Sequence, residues 1–241
     1  MLAMHVTEIC DVQYSTSGIL ALSRRLGCSI RMPRPVPHNT AGKERVNKHI
    51  SDTATAITLH VAAGYSVGCM NTAGFAKAPF SARGIRPIGG YETVKTSFSK
   101  ATTKALGALM GDGLVLDFCD NANSDNVIKL LKKLRKKYGR IFIICDNASA
   151  HKSKKIQKYL GEMHGEVVLW YLPPYTPQHN PIEMIWRELK RAIAGRYFDK
   201  FEEMHKTIRR LIKSGEVATV KLLWYMIDAI NKGKTLQKTV S

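Results

Sequence analysis

The chain has 241 residues, 44% of them apolar, which is enough for one sizeable packed domain with an appendage. Thirty-seven Lys and Arg residues against nineteen Asp and Glu residues give a net charge of +18, which favours a polyanionic partner, most often nucleic acid. The sequence has no run of about eighteen apolar residues and no basic segment followed by an apolar one at its start, which argues against a membrane span and a signal peptide.

The N-terminal part is too short to bury a core of its own. Residues 15–28 predict a short helix. Its inward-facing side chains are Ile19, Leu20, Leu22 and Leu26, and its outward-facing ones are Arg24 and Arg25. The three prolines in 31–39 argue against regular structure and predict a linker, and residues 41–50 favour a short basic helix.

A change of pattern near residue 55 indicates the start of the main domain. The β-branched and apolar residues 55–61 predict a buried strand, and the Gly-rich region 64–100 predicts short strands and loops. Residues 104–118 predict a hairpin that turns at Gly111-Asp112-Gly113, because an Asp-Gly pair adopts positive φ readily.

Helices and strands then alternate. Residues 124–138 predict a helix that is capped by Ser124 and ended by Gly139. The further predicted elements are a strand buried on both faces at 140–145, a helix at 151–160, a central strand at 166–172, a helix at 181–194 and two helices within 199–231. This order predicts an α/β fold in which helices flank a mixed sheet.

Glu183 lies in the first turn of the predicted helix 181–194 and has two interpretations. Asn180 occupies an N-cap position, Pro181 follows at the first helical position, and Glu183 comes three residues after the cap. This spacing favours a capping box, in which the Glu side chain accepts a hydrogen bond from the backbone N–H of the cap residue. The alternative is that Glu183 belongs to an active site.

Asp146 directly follows the predicted buried strand 140–145. Open sheets bind ligands at the carboxyl ends of their strands, so an acid at this point favours a site, although an Asx turn is an alternative. Two carboxylates, Asp146 and Glu183, on a strongly basic chain suggest a Mg²⁺ site, because Mg²⁺ prefers oxygen ligands and bridges to phosphate oxygens. The residues alone therefore favour a nuclease or a strand-transfer enzyme.

Two motifs also resemble a known family. The segments "IICDNASAHKSKKIQKYL" and "LPPYTPQHNPIEMIWRELKR" are similar to the catalytic core of mariner-related insertion-sequence transposases, which belong to the DDE superfamily and have an RNase H-like fold. The second acid of that family is matched by Asp146 and the third by Glu183, with 36 residues between them.

The resemblance implies a function. It implies a transposase of a prokaryotic insertion sequence that cleaves and joins transposon ends with Mg²⁺ or Mn²⁺ held by Asp146 and Glu183. The implied partner is double-stranded DNA, at transposon ends and target, and synapsis of two ends would need a homodimer. The implied domains are a helix-turn-helix remnant and linker at 1–36, a linker helix at 37–54 and the RNase H-like catalytic domain at 55–241.

Two departures from the family pattern stand out. The chain has room for only the last helix of a helix-turn-helix module, which suggests truncation. The first acid should end the first core strand in a context like Asp-Glu-Ala-Gly-Phe-Ser, whereas "LHVAAGYSV" places Val61 there, and neither Asp52 nor Asp117 fits the pattern. We therefore expect impaired chemistry, with a catalytically inactive, transposase-derived DNA-binding protein as the alternative and an unrelated basic structural or RNA-binding protein as a second one.

Several basic residues are candidates for phosphate contacts. These are Lys152, Lys154, Lys155, Arg24 and Arg25, although an ordinary solvated face would have the same composition. His151 and His179 are expected to be exposed. Five widely spaced cysteines without a Cys-x-x-Cys pair fit a reducing cytoplasm, and the expected location is cytoplasmic, at the nucleoid.

Overall fold

A computed structural model describes residues 6, 8–9, 11–28, 42–77, 101–111, 113–174, 176–217 and 222–240. The chain divides into two compact units, Met1–His38 and Asn39–Ser241. The first unit contains helix α1 (Thr16–Arg25), whose start is capped by the Ser15 hydroxyl. Helix α1 confirms the predicted helix, but Leu26 is 70% exposed instead of inward-facing, because the helix has already ended before it. The linker predicted at 31–39 lies outside the described residues.

The second unit is built on a five-stranded mixed sheet. Its strands are β1 (Ser66–Ala76), β2 (Thr102–Met110), β3 (Gly113–Cys119), β4 (Ile141–Cys145) and β5 (Val167–Tyr171). Their order is β3-β2-β1-β4-β5, with β1 antiparallel to β2 and parallel to β4. The predicted hairpin is confirmed as β2 and β3, and the predicted doubly buried strand as β4.

The prediction that 166–172 forms a central strand is wrong, because β5 lies at the edge of the sheet. Its apolar run is explained by helices that cover both of its faces. Leu169 and Tyr171 pack with one core cluster, and Val168 and Trp170 pack with another on the opposite face. An uninterrupted run of apolar residues therefore indicates that a strand is buried on both faces. It does not indicate whether the strand lies at the centre or at the edge of the sheet.

Within the described residues, six helices flank the sheet. They are α2 (Lys43–Ala62), α3 (Ser124–Tyr138), α4 (Lys154–Glu162), α5 (Ile182–Ala192), α6 (Phe201–Lys213) and α7 (Trp224–Val240). Helices α3 and α4 cover one face, and α5 and α6, together with α2 and α7, cover the other. None of the helices in the described ranges combines the length and the apolar character that crossing a membrane requires.

Two predictions are wrong in the region of α2. Residues 55–61 form part of this helix and not a strand, and the helix continues past residue 54, where the linker helix was predicted to end. The helix is continuous, and its buried residues Thr53, Ala56, Ile57 and Val61 recur at helical spacing. Val61 therefore faces a helix interface and does not end a core strand. The first core strand is β1, which begins five residues later.

Helix α3 has the predicted bounds but a different cap. The side chain of Asn123 accepts a hydrogen bond from the backbone N–H of Asn126, so Asn123 caps the helix in place of Ser124. The Ser124 hydroxyl instead donates to the carbonyl of Ala150 at 3.1 Å. Gly139 ends the helix as predicted, with a φ of 73°.

Candidate active site

The parallel pairing of β1 and β4 brings two polar side chains to the same level of the sheet. Cys69 pairs in register with Ile144, Asn71 lies two residues further along β1, and Asp146 directly follows the end of β4, so the two come near the same level of the sheet. Because side chains alternate along a strand, both lie on the sheet face that α5 covers. The sheet thus places Asn71 beside the predicted site residue Asp146.

The Asp146 carboxylate is anchored through one of its oxygens. Its Oδ1 accepts a hydrogen bond from the backbone N–H of Ala148 at 3.0 Å and lies 2.9 Å from His151 Nδ1. Burial by itself would raise the pKa of Asp146, but the hydrogen bonds from His151 and Ala148 outweigh it, so the pKa lies below its usual value. Asp146 is therefore an anionic group, and its side chain is 46% exposed.

His151 contradicts the prediction of an exposed side chain, since it is only 2% exposed. It ends a single 3₁₀ turn, Ser149–His151, that separates β4 from α4. The backbone carbonyl of His151 accepts a hydrogen bond from the Tyr171 hydroxyl at 2.9 Å, which ties this turn to β5. The ring is thus held against Asp146 by the fold. His179 is half-buried.

Glu183 faces the sheet and does not form the predicted capping box. Its Oε1 accepts a hydrogen bond from Asn71 Nδ2 at 2.5 Å. Burial raises the pKa of Glu183 and the nearby Asp146 charge raises it further, while the Asn71 hydrogen bond and the Lys190 charge oppose the shift. The net shift is upward, so the site combines Asp146, whose pKa is lowered, with Glu183, whose pKa is raised.

Asn180 positions Glu183 without acting as a helix cap. Its Nδ2 donates to the backbone carbonyl of Met70 at 3.1 Å, so the start of α5 is tied to β1 one residue before Asn71. The backbone N–H of Glu183 then donates to the Asn180 carbonyl at 3.1 Å. Below this point the apolar side of α5 fixes the helix on the sheet, and the ring of Trp186 fills the space above Gly107.

The two carboxylates open into one cavity of about 390 Å³. Its polar lining includes Asn71, Asp146, Asn147, Asn180 and Glu183, and its outer wall is the proline loop after β5. The structure therefore brings together the two predicted metal ligands, with Asn71 as a third polar group that the sequence reasoning missed. In the described part of the chain, no group of three or more His, Cys, Asp and Glu side chains is placed to hold a metal ion.

A short sequence pattern that occurs twice could have identified Asn71. The pattern Ala-Gly-aromatic occurs twice, as Ala63-Gly64-Tyr65 and as Ala73-Gly74-Phe75. The prediction used the first copy and thereby selected Val61, which lies in α2. The second copy lies on β1 and is preceded by Asn71 and Thr72.

The predicted basic residues are all exposed, in two separate groups. Arg24 and Arg25 lie in α1, in the first unit. Lys152, Lys154 and Lys155 lie at and after the turn that follows Asp146. The Lys152 ammonium lies 5.0 Å from the Tyr171 ring centre, and Lys155 forms an ion pair with Asp125.

Known structures share this fold. The Mos1 transposase paired-end complex with left transposon end matches with a TM-score of 0.66 and 15% identity, covering 99% of this chain and 74% of that one. The mariner Mos1 paired-end complex with Mg gives 0.65 and 16%, covering 98% and 73%. The catalytic domain of Mos1 mariner transposase gives 0.52 and 13%, covering 85% and 97%. At these identities the likeness establishes the RNase H-like fold.

The comparison with curated proteins gives no match. The family model for the DDE superfamily endonucleases matches residues 66–205, which is more than half of the chain and runs from β1 into α6. The matched region contains Asn71, Asp146 and Glu183. The chain therefore belongs to the DDE superfamily endonuclease family.

Proposed function

We propose that this chain is a transposase that acts on the DNA ends of an insertion sequence, and that its cleavage chemistry is impaired by Asn71. The solved relatives are described as a paired-end complex with a transposon end and as a strand transfer complex, which supports the assignment to transposition. The net charge of +18 suits a DNA substrate. Synapsis of two ends would require two copies of the chain.

The donor set fits a divalent cation held by two residues. Relatives were solved with Mn and with Mg. Asp146 and Glu183 offer carboxylate oxygens to one cavity, and these are the ligands that Mg²⁺ and Mn²⁺ favour. Asp146 uses Oδ1 for its hydrogen bonds and Glu183 uses Oε1, and within the described ranges the second oxygen of each accepts none. A bound cation would polarise the phosphodiester and stabilise the charge that develops on its oxygens.

Asn71 stands where the family pattern places its first acid. The first core strand is β1, and it carries Asn71-Thr72-Ala73-Gly74-Phe75-Ala76 in place of the expected Asp-Glu-Ala-Gly-Phe-Ser context. The side chain of Asn71 contacts Glu183, and Asn71, Asp146 and Glu183 line one cavity. These three facts carry the proposal and replace Val61 as the departure from the family pattern.

An amide at this position changes the electrostatics of the site. Asn71 is neutral and donates a hydrogen bond to Glu183. A carboxylate at the same position would add a negative charge and a third ligand for a cation. Its own Oδ1 accepts a hydrogen bond from the backbone N–H of Thr72 at 2.6 Å, so the amide oxygen is already engaged. The site retains two carboxyl ligands, and we expect weak metal binding and slow cleavage.

The decisive experiment is the substitution Asn71→Asp. With a plasmid that carries the DNA flanking the coding sequence, this variant should nick in Mg²⁺ or Mn²⁺ at least about a hundredfold faster than the unmodified chain, the cost typical of one missing transition-state group. Asn71→Ala is the matched control, because it removes the hydrogen bond without adding an acid. Robust cleavage by the unmodified chain would refute the impairment.

A second candidate function is a DNA-binding protein that has lost catalysis altogether. Asn71 favours it, because a neutral amide lies beside the two carboxylates, and the described residues offer no group of three His, Cys, Asp or Glu side chains placed to hold a metal ion. This candidate predicts that both the unmodified chain and the Asn71→Asp variant bind duplex DNA and that neither cuts it. Cleavage by Asn71→Asp would therefore exclude this candidate. The double variant Asn71→Asp with Glu183→Gln is the control, since it should abolish the regained activity if that activity uses the site.

A further inference from the structure

A second cavity of about 420 Å³ adjoins the candidate active site. It is lined by Pro177, Gln178, Asn180, Glu183, Met184 and Arg187. Pro177, Asn180 and Glu183 also line the active-site cavity, so the two spaces share a wall. We call the second space the α5 groove. Its volume lies in the range of small-ligand pockets, roughly 300–1,000 Å³, which suits one nucleotide and excludes a duplex.

The α5 groove combines apolar and cationic side chains. Met184 is 43% exposed although it lies next to the buried residue Ile185, and Pro177 at the mouth is also exposed. Arg187 lies one helical turn after Glu183, and its side chain is 62% exposed, with its Nε 3.6 Å from the Glu188 carboxylate. The exposed thioether of Met184 suits contact with the ring of a nucleobase, and the exposed guanidinium of Arg187 suits a phosphate.

Asn180 adds an unpaired acceptor to the shared wall. It is 2% exposed, and its Nδ2 donates to Met70, which fixes the orientation of the amide. Its Oδ1 is buried and has no hydrogen-bond partner among the described residues. Buried acceptors are nearly always paired, so an unpaired one beside two cavities indicates a site that a ligand or an ordered water completes.

We propose that the α5 groove binds one unpaired nucleotide of the DNA strand, next to the phosphate that occupies the active-site cavity. The proposal rests on the proposed function, because the strand must already lie at Asp146 and Glu183. The base lies against Met184 and Pro177, and Arg187 pairs with the phosphate on its far side. The groove thereby distinguishes an end with an unpaired nucleotide from a fully paired one.

The test compares two DNA probes in Ca²⁺ in place of Mg²⁺, because Ca²⁺ can be held by the two carboxylates but takes a looser coordination geometry than Mg²⁺, which disfavours cleavage. The probes are a blunt duplex and the same duplex with a three-nucleotide single-stranded extension, and affinities are measured by fluorescence anisotropy with the full chain. The unmodified chain should bind the extended duplex about tenfold more tightly, the upper range of what contact between a thioether and an aromatic ring provides. Met184→Ala and Arg187→Gln should each remove most of this preference.

The control variant is Lys158→Gln, which removes one positive charge from an exposed lysine in α4, outside the groove. It should lower the affinity for both probes by the same factor and leave their ratio unchanged. Equal affinity of the unmodified chain for both probes, or an unchanged ratio in both groove variants, would overturn the proposal. Failure of the proposed function gives a different result, namely no DNA binding at all or no cleavage by the Asn71→Asp variant.

Discussion

At the scale of single residues, the Asp146 carboxylate owes its orientation to two donors that share Oδ1. One donor is the backbone N–H of Ala148, two residues further along the chain. The other is the buried ring of His151, in the 3₁₀ turn that follows. Because both bonds use the same oxygen, Oδ2 remains available to a ligand in the cavity. His151 is therefore a positioning residue for the proposed metal site.

Removal of the His151 ring should weaken the metal site. In the Asn71→Asp background, His151→Ala should reduce the Mg²⁺ affinity about 10- to 100-fold, the usual effect of losing a group that orients a metal ligand. The measurement is isothermal titration calorimetry with Mg²⁺. His151→Gln is the control, since it retains an N–H donor and should recover part of the affinity. Unchanged affinity in the His151→Ala variant would contradict this role.

The lowered pKa of Asp146 predicts a pH-dependent contribution to stability. A carboxyl group whose pKa is depressed on folding stabilises the folded state above its usual pKa, and the contribution is lost as the pH falls through the folded-state pKa. The melting temperature of the unmodified chain should therefore exceed that of Asp146→Asn near neutral pH. The difference should shrink below about pH 4, the range in which aspartates protonate. A difference that stays constant with pH would contradict the assignment.

The identities of Asp146 and Glu183 were predictable from the sequence, because each lies in a local motif of strand, turn and helix. Asn71 was harder to identify, since the choice between the two Ala-Gly-aromatic copies depends on which of them lies on the strand that pairs with β4, and the paired residues Cys69 and Ile144 are far apart in the sequence. The capping interpretation of Glu183 failed for the same reason. The competing partner of its side chain, Asn71, is distant in sequence but in direct contact in the fold.

At the scale of elements, helices α2 and α7 approach each other closely at Gly233. A Cβ at this position would lie 2.6 Å from the carbonyl oxygen of Thr58 and 2.6 Å from Val61 Cβ. The Thr58 hydroxyl also donates to the carbonyl of Ala229 at 3.2 Å, which links the two helices directly. Val61 thus serves packing between helices.

Gly233→Ala should destabilise the protein. Alanine is the better helix former by up to about 1 kcal/mol, but the clash with a backbone oxygen should cost more, with a net loss of about 1–3 kcal/mol in urea denaturation. Gly161→Ala is the matched control, because it lies in α4 and a Cβ there meets nothing within 4 Å. It should be neutral or stabilising. Equal stability of the two variants would contradict the close approach of the helices.

Helix α2 shows where local patterns mislead. Its β-branched residues between 53 and 61 are typical of a strand, yet the hydroxyls of Thr53, Thr55 and Thr58 each donate to the carbonyl four residues earlier. The apolar side of α2 is stabilised by α7, which lies more than 160 residues further along the chain. Helix α3 and strand β4 needed no such distant partner to be recognised, so they were predicted correctly.

At the scale of the whole molecule, the excess of 37 basic over 19 acidic residues predicts DNA binding that weakens steeply with salt. Each phosphate contact contributes a slope of about −0.9 to the dependence of log affinity on log salt concentration. Lys154 is exposed in α4 and makes no ion pair within the described residues, whereas Lys155 beside it is paired with Asp125.

Lys154→Gln should reduce the magnitude of the salt slope by about one, because it removes one phosphate contact irrespective of DNA sequence. Lys155→Gln removes the same charge from a lysine that is already paired, so its effect should be smaller. The measurement is the affinity for a duplex of fixed sequence over a series of NaCl concentrations. Equal slopes for the unmodified chain and Lys154→Gln would exclude this lysine from the DNA-binding surface.

The contact between Asn71 and Glu183 also has a genetic consequence. Codons for asparagine and aspartate differ only in their first base, so one A-to-G transition would replace the amide nitrogen by an oxygen. The two side chains have nearly the same shape, but an aspartate oxygen would face Glu183 Oε1 without a proton to donate, so a bound cation or a shared proton would have to replace the present hydrogen bond. Under the proposed function, an impaired copy of this kind would be a single point mutation from a site with three acids, and the host genome that carries it would hold a dormant source of rearrangements.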